Sequence, residues 1–351
     1  MIFEVAPALK APAFVYDLAG LDAHAAAVRA ALPCIELYYA VKANPDPALL
    51  RVLDAHVDGF EVSSAGEHAH VSAVLPKARL AVGGPGKTDA ELRLPAHRVH
   101  VESPFELRRL IGSGVSADVL LRLNLRLETA GAALTMSGPF GMDADGLAAC
   151  LPLFTDTVRL RGVHAHLASG LDAPALLELA SVVMAQHDEE VNVGGGMAVS
   201  YTSPGSRFDW AAYGAGLDAL RRPGQVVRIE PGRALTAYCG SYVTRVIDVR
   251  RVHGEAFAIV HGGTHHLRTP ATKGHSQPFT VLPTGTGPGV EDTPVTVVGQ
   301  LCTPKDVLAC GVRTSIRVGD TVVFGMAGAY AWNISHHDFL MHPKPGFHYL
   351  T

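Results

Sequence analysis

Ile35-Glu36-Leu37-Tyr38-Tyr39-Ala40-Val41-Lys42-Ala43-Asn44 is a strand-length apolar and aromatic run that ends abruptly in a lysine and an asparagine. Just beyond it, Pro47-Ala48-Leu49-Leu50-Arg51-Val52-Leu53 switches to helical spacing. The pair reads as one strand feeding one helix, and the rhythm recurs along the chain. Apolar runs fall at 35–41, 59–62, 79–82, 98–101, 118–125, 162–166, 190–193 and 226–230, with helical patterns such as 47–53, 64–75 and 174–186 between them. Repeats of this number, spread over roughly 200 residues, match the smallest (β/α)8 barrels. Parallel strands buried on both faces read as continuous apolar runs of this kind. Repeat counting does not show closure, so an open doubly wound sheet competes with the barrel. No G-x-G-x-x-G turn follows the first strand, which weakens a dinucleotide-binding version of that alternative.

After about residue 233 the rhythm changes. Runs at 240–249, 256–260, 295–298 and 321–325 are β-type, bounded by Gly, Pro and Asp, with no long amphipathic helix between them. The stretch 280–289 reads as turn chemistry. The expected division is a barrel over 18–233 and a β-domain made of 1–17 and 234–351. A length of 351 residues exceeds one ordinary domain, and 48 % apolar against 18 % charged residues gives ample core. A net charge of −4 excludes a basic field for nucleic acid or an anionic membrane and leaves a small molecule as the expected partner. The five cysteines are scattered, without Cys-x-x-Cys spacing, which argues for thiols in a reducing compartment. With no basic leader and no long apolar run, cytoplasmic residence is expected.

In a barrel the reactive groups lie where strands end and βα loops begin. Lys42 closes the first strand, on the alternating face of Tyr38 and Ala40, where a desolvated amine suits nucleophilic or Schiff-base chemistry. A salt-bridged structural lysine is the bland alternative. The sixth strand ends in His164-Ala165-His166-Leu167-Ala168-Ser169-Gly170, the seventh in Val193-Gly194-Gly195-Gly196, and the eighth in Glu230-Pro231-Gly232-Arg233. A lysine, a glycine turn with N–H donors for an anion, an acid and a flat imidazole on one rim are what pyridoxal 5′-phosphate requires. The histidine pairs 164/166, 265/266 and 336/337 lack a third ligand at helix spacing, so no metal is expected.

Tyr-Ala-Val-Lys-Ala-Asn, His-x-x-Ser-Gly, Gly-Gly-Gly, Glu-Pro-Gly-Arg and the late Gly328-Ala329-Tyr330 occur in the order seen in fold-type III pyridoxal phosphate decarboxylases, the diaminopimelate and ornithine decarboxylase group, which this chain resembles from about Phe14 to Tyr330. The resemblance implies a TIM-like barrel, alanine racemase-like, with a C-terminal β-domain, and a homodimer with shared active sites. It implies that Lys42 bonds the cofactor aldehyde, His166 stacks on the ring and Glu230 pairs with the ring nitrogen. Ser169, Gly194, Gly195, Gly196, Gly232, Arg233 and Tyr330 would hold the phosphate.

Leu301-Cys302-Thr303-Pro304-Lys305-Asp306 resembles the family's cysteine segment, which implies that Cys302 works in the partner's active site near the α-carbon. Thr303 stands where relatives carry an acid for a substrate ammonium, so a diamine-like tail is disfavoured and Lys305 favours an anionic one. Together with 263–268 and the ending 333–345, this is similar to a siderophore-pathway subgroup that decarboxylates citryl-diaminopropionate for staphyloferrin B. Arg268 and His265 are further candidates for receiving the tail's carboxylates. Competing readings are decarboxylation of a free amino acid such as diaminopimelate, an amino-acid racemase with a tyrosine base, and a non-catalytic cofactor-binding homologue.

Overall fold

The computed structural model describes residues 2–127, 131–136, 138–268 and 275–351. The chain divides into two compact units, Asp22–Ala198 with Arg207–Leu235, and Met1–Leu21 with Val199–Ser206 and Thr236–Thr351.

The first unit is a closed parallel barrel, which removes the open-sheet alternative. Its strands are Glu36–Ala40, Gly59–Val62, Leu80–Val82, Arg98–Val101, Ala117–Arg122, Val158–His164, Glu190–Asn192 and Val226–Ile229. Five of the eight end earlier than the apolar runs. Lys42 therefore lies beyond the first strand, in the 3-10 turn Val41–Ala43, and His166 lies beyond the sixth. The extension to residue 125 on the fifth strand is replaced by an isolated bridge between Leu123 and Met142.

Helix starts are fixed by side chains in the loops that follow the strands. Asp46, Ser64, Thr88, Ser103, Asp143, Asp172 and Asp209 each accept a hydrogen bond from an N–H in the first helical turn. Thr88 and Glu91 complete a reciprocal capping box. Such caps satisfy donors that the helix itself cannot, at about 1 kcal/mol each, and they stiffen the loops on which reactive groups sit.

Side chains alternate between the two faces of the strands. Val99, Val101, Val119 and Leu121 pack outward into a core with Leu107 and Leu110 of the helix Pro104–Gly112. Most of the intervening positions, among them Arg98, His100, Asp118 and Arg122, carry polar groups. At the N-terminal end of the barrel Arg228 is fully buried, donating through Nε to Glu36 at 2.9 Å and through Nη1 to Glu190 at 2.6 Å. Arg98 Nε donates to both oxygens of Glu190 at 2.9 Å. Burial would raise the Glu190 carboxyl, but the two guanidiniums override it and hold it below its ordinary value. Arg228 also lies 4.6 Å over the Tyr38 ring.

The second unit is mostly β. Its sheet runs Phe279–Leu282, Thr321–Phe324, Gly240–Val252, Glu255–Val260, Gly289–Val298, Val307–Arg317. Ala13–Asp17 joins it antiparallel to Gly240–Val252 and parallel to Gly346–Leu350. Residues 280–282 are strand, so the turn proposed over 280–289 shrinks to its Pro/Gly-rich middle. Among the described residues no helix is long and apolar enough to cross a membrane.

Truncating Arg228 to Met removes this partner from buried Glu190 and half-buried Glu36, leaving each with a single guanidinium. The expected cost is about 3–5 kcal/mol, read as a lower urea midpoint; a midpoint unchanged from wild type would contradict the network's assigned role.

Candidate active site

Lys42 Nζ meets Glu61 Oε2 at 2.7 Å, and Ser63 Oγ donates to the other Glu61 oxygen at 2.8 Å. Glu61 is buried while the lysine side chain is 49 % exposed, so the amine is anchored yet open to a reactant. Sequence reasoning missed Glu61. A lone carboxylate inside the apolar run Gly59-Phe60-Glu61-Val62, one strand over from Lys42, was the signal that could have found it.

Glu230 follows the strand Val226–Ile229, the direct neighbour of the strand that leads to Lys42, and is 8 % exposed. Asn192 Nδ2 donates to its Oε1 at 2.7 Å and His164 Nε2 to its Oε2 at 3.2 Å. A carboxylate only accepts, so His164 carries its proton on Nε2. Asn192 Oδ1 takes the N–H of Gly194 at 2.9 Å, which ties the glycine turn to the Glu230 carboxylate through one amide.

His166 sits between two donors and acceptors. The Gly195 N–H donates to Nδ1 at 3.2 Å, which leaves the proton on Nε2, and Nε2 meets Ser169 Oγ at 3.2 Å. Desolvation, with the nearby Lys42 and Arg122 cations, lowers its pKa to about 4. The ring is neutral and flat at neutral pH, suited to covering an aromatic face.

The three glycines are required by close approach. A Cβ at Gly194 would lie 2.7 Å from the Ala165 carbonyl oxygen, at Gly195 2.6 Å from that of Glu230, and at Gly196 2.3 Å from that of Ala168. Gly194 and Gly196 also adopt positive φ, at 72° and 108°. The first two N–H groups bond to Asn192 and His166, so they frame the turn. Gly232 fits against Ala40 and Ala43, where a Cβ would come within 2.9 Å of the Ala43 side chain, and Arg233 opens the short helix Arg233–Thr236.

His100, His164 and Glu230 offer ligand atoms within 4.8 Å of one another, a trio that sequence reasoning did not assemble. The two imidazoles are stacked at 4.2 Å with planes 16° apart. Lone pairs lying in parallel planes do not converge on one ion about 2 Å from each nitrogen, so the trio is a poor metal site and a good brace.

The remaining candidates lie in the β-domain. Cys302 is exposed in a turn clamped by buried Asp306, which accepts from Leu301 N at 2.8 Å, Thr264 N at 2.6 Å and Thr264 Oγ1 at 2.9 Å. Gly263 and Gly299 press on that carboxylate so closely that a Cβ at either would overlap it. Thr303 is half-buried, and Lys305 and Arg268 are exposed. His265 is fully enclosed, with neither ring nitrogen hydrogen-bonded, and burial lowers its pKa to about 4. Tyr330 is half-buried at a φ of 50°.

An amine, a neutral flat ring, a glycine turn that tolerates no side chain and a braced carboxylate fit pyridoxal phosphate. Residues 18–237 match the family of pyridoxal-dependent decarboxylases, pyridoxal binding domain. The chain belongs to the pyridoxal-dependent decarboxylases. It is 36 % identical, over 96 % of this chain and 94 % of the relative, to the 2-[(L-alanin-3-ylcarbamoyl)methyl]-2-hydroxybutanedioate decarboxylase of Staphylococcus aureus. A diaminopimelate decarboxylase of Actinosynnema pretiosum is 31 % identical, over 93 % of this chain and 81 % of its own length. The fold is that of a Helicobacter pylori diaminopimelate decarboxylase crystallised with L-lysine, at a TM-score of 0.86 and 23 % identity, covering 99 % of this chain and 93 % of the other.

Gly195→Ala is expected to weaken pyridoxal phosphate binding roughly tenfold, because the Cβ must displace backbone. Gly86→Ala, where nothing lies within 4 Å, should not. Absorbance titration of the apoprotein compares them, and equal affinities would remove the packing argument.

Proposed function

We propose that this pyridoxal-dependent decarboxylase removes the α-carboxylate of an amino-acid moiety carrying an anionic tail, of the citryl-diaminopropionate type used to build staphyloferrin B-like siderophores. The observation that carries the substrate reading is the pairing of Thr303 after Cys302 with the near full-length Staphylococcus aureus relative. That relative's name describes a hydroxy tricarboxylic acid joined through an amide to the β-carbon of alanine. A hydroxyl at position 303 leaves a substrate ammonium without a counter-charge, whereas Lys305 and Arg268 are exposed cations of the right sign for carboxylates.

Bound pyridoxal phosphate supplies the electron sink that accepts the pair left by departing CO2. Lys42 would hold the cofactor through its Nζ, with Glu61 as the acceptor beside that amine. His166 would cover the ring, Glu230 would pair with its nitrogen, and Ser169, the glycine turn, Gly232, Arg233 and Tyr330 would take the phosphate. The exposed thiol of Cys302, from the second copy of a homodimer, returns a proton to the α-carbon. Asp306 fixes the turn that presents it.

Two outcomes are expected. CO2 release should be rapid with citryl-diaminopropionate and absent with diaminopimelate; the reverse pattern would establish the free amino-acid reading instead. Cys302→Ala should keep the cofactor's absorbance while amine formation falls about 100-fold, the usual scale for a lost general acid. Undiminished turnover would remove Cys302 from the chemistry.

A further inference from the structure

The stacked pair His100 and His164 takes no direct part in the proposed chemistry, yet it lies against Glu230, a buried carboxylate of the site. Both imidazoles are buried, at 1 % and 4 % exposure. His164 donates from Nε2 to Glu230 Oε2 at 3.2 Å, and His100 Nε2 faces the other oxygen at 3.7 Å. His164 Nδ1 and His100 Nε2 have no hydrogen-bond partner. Leaving two buried nitrogens unmatched costs stability, which a purely structural position would avoid by carrying an apolar side chain.

The register explains why His164 and Asn192 converge on one carboxylate. His164 pairs with Asn192 across adjacent strands, and both reach Glu230 at the end of the next. Together Asn192 and His164 occupy one lone pair on each carboxylate oxygen. A carboxylate so held cannot swing about its side-chain torsions, and its remaining acceptor sites point in one fixed direction. His100, with its ring 4.2 Å from that of His164, blocks the imidazole from tilting away.

We propose that His164, backed by the stacked His100, is a positioning residue that fixes the Glu230 carboxylate toward the ring nitrogen of pyridoxal phosphate and thereby sets how much of the time that nitrogen carries a proton. The proposal rests on the reading of Glu230 as the ring-nitrogen partner. Burial keeps both imidazoles well below their ordinary pKa, aided for His164 by the Arg122 cation. The brace therefore donates a hydrogen bond without adding a positive charge that would compete with the pyridinium.

The test is the 15N chemical shift of pyridoxal phosphate labelled at its ring nitrogen, bound to the full chain, with cofactor affinity measured on the same proteins. Glu230→Gln tests the underlying reading, and its nitrogen should move toward the unprotonated position. His164→Leu and His164→Phe both remove the N–H, and the Phe variant keeps a ring to stack on His100; both should move the shift the same way and weaken cofactor binding about tenfold. His164→Gln restores a donor and should return the shift toward wild type. A shift that moves in Glu230→Gln but stays at the wild-type value in His164→Leu and His164→Phe overturns the brace. A shift that does not move in Glu230→Gln overturns the reading of Glu230 itself.

Discussion

The structure depends on a barrel interior that is charged, so that every ion inside must find a partner. Outward positions are Val, Leu and Phe against helices, whereas Glu36, Arg98, Glu190 and Arg228 point in from four strands and neutralise one another. An isolated buried charge costs several kcal/mol, and pairing offsets it only when geometry is close to ideal. Arg228 with two carboxylates and Glu190 with two guanidiniums meet that condition. The strands' relative register is thereby specified by chemistry as well as by hydrophobic contact.

The same alternation, followed toward the C-terminal ends of the strands, delivers the reactive groups. One pleat beyond Arg228 lies Glu230, one beyond Glu190 lies Asn192, and one beyond Gly162 lies His164. Inward positions that hold the barrel closed at one end thus become the carboxylate brace at the other. The rim itself is rigid because capped helices begin there and because Arg122 is locked by buried Glu102 at 2.7 Å. Neutral imidazoles result from this setting, since burial and the Lys42 and Arg122 charges push protons off His166.

Much of this was legible in the sequence. Strand positions, the strand-to-helix rhythm and the change of character near residue 233 all follow from periodicity. Lys42, His166 and Glu230 were visible because reactive side chains interrupt apolar runs at strand ends. Their exact backbone setting was not, since alternation alone carried the strand past Ala40 through Lys42, where the chain instead tightens into a 3-10 turn. Val307–Arg317 escaped notice because Cys310, Gly311 and Thr314 dilute its apolar pattern, and the long pairing with Gly289–Val298 is non-local. The His100–His164 stack was hidden, since contacts between side chains on different strands depend on the order and register of the strands, which periodicity does not give. His265, expected to receive a substrate carboxylate, is enclosed in the β-domain.

The central claim is that Lys42 is the residue that holds the cofactor. Reducing the pyridoxal phosphate-loaded protein with sodium borohydride, digesting it and mapping the peptides by mass spectrometry tests that claim most directly. The account predicts a pyridoxyl phosphate group bonded to Nζ of Lys42 and to no other lysine in stoichiometric amount. A stoichiometric adduct on Lys87 or any other lysine, with Lys42 unmodified, would contradict it.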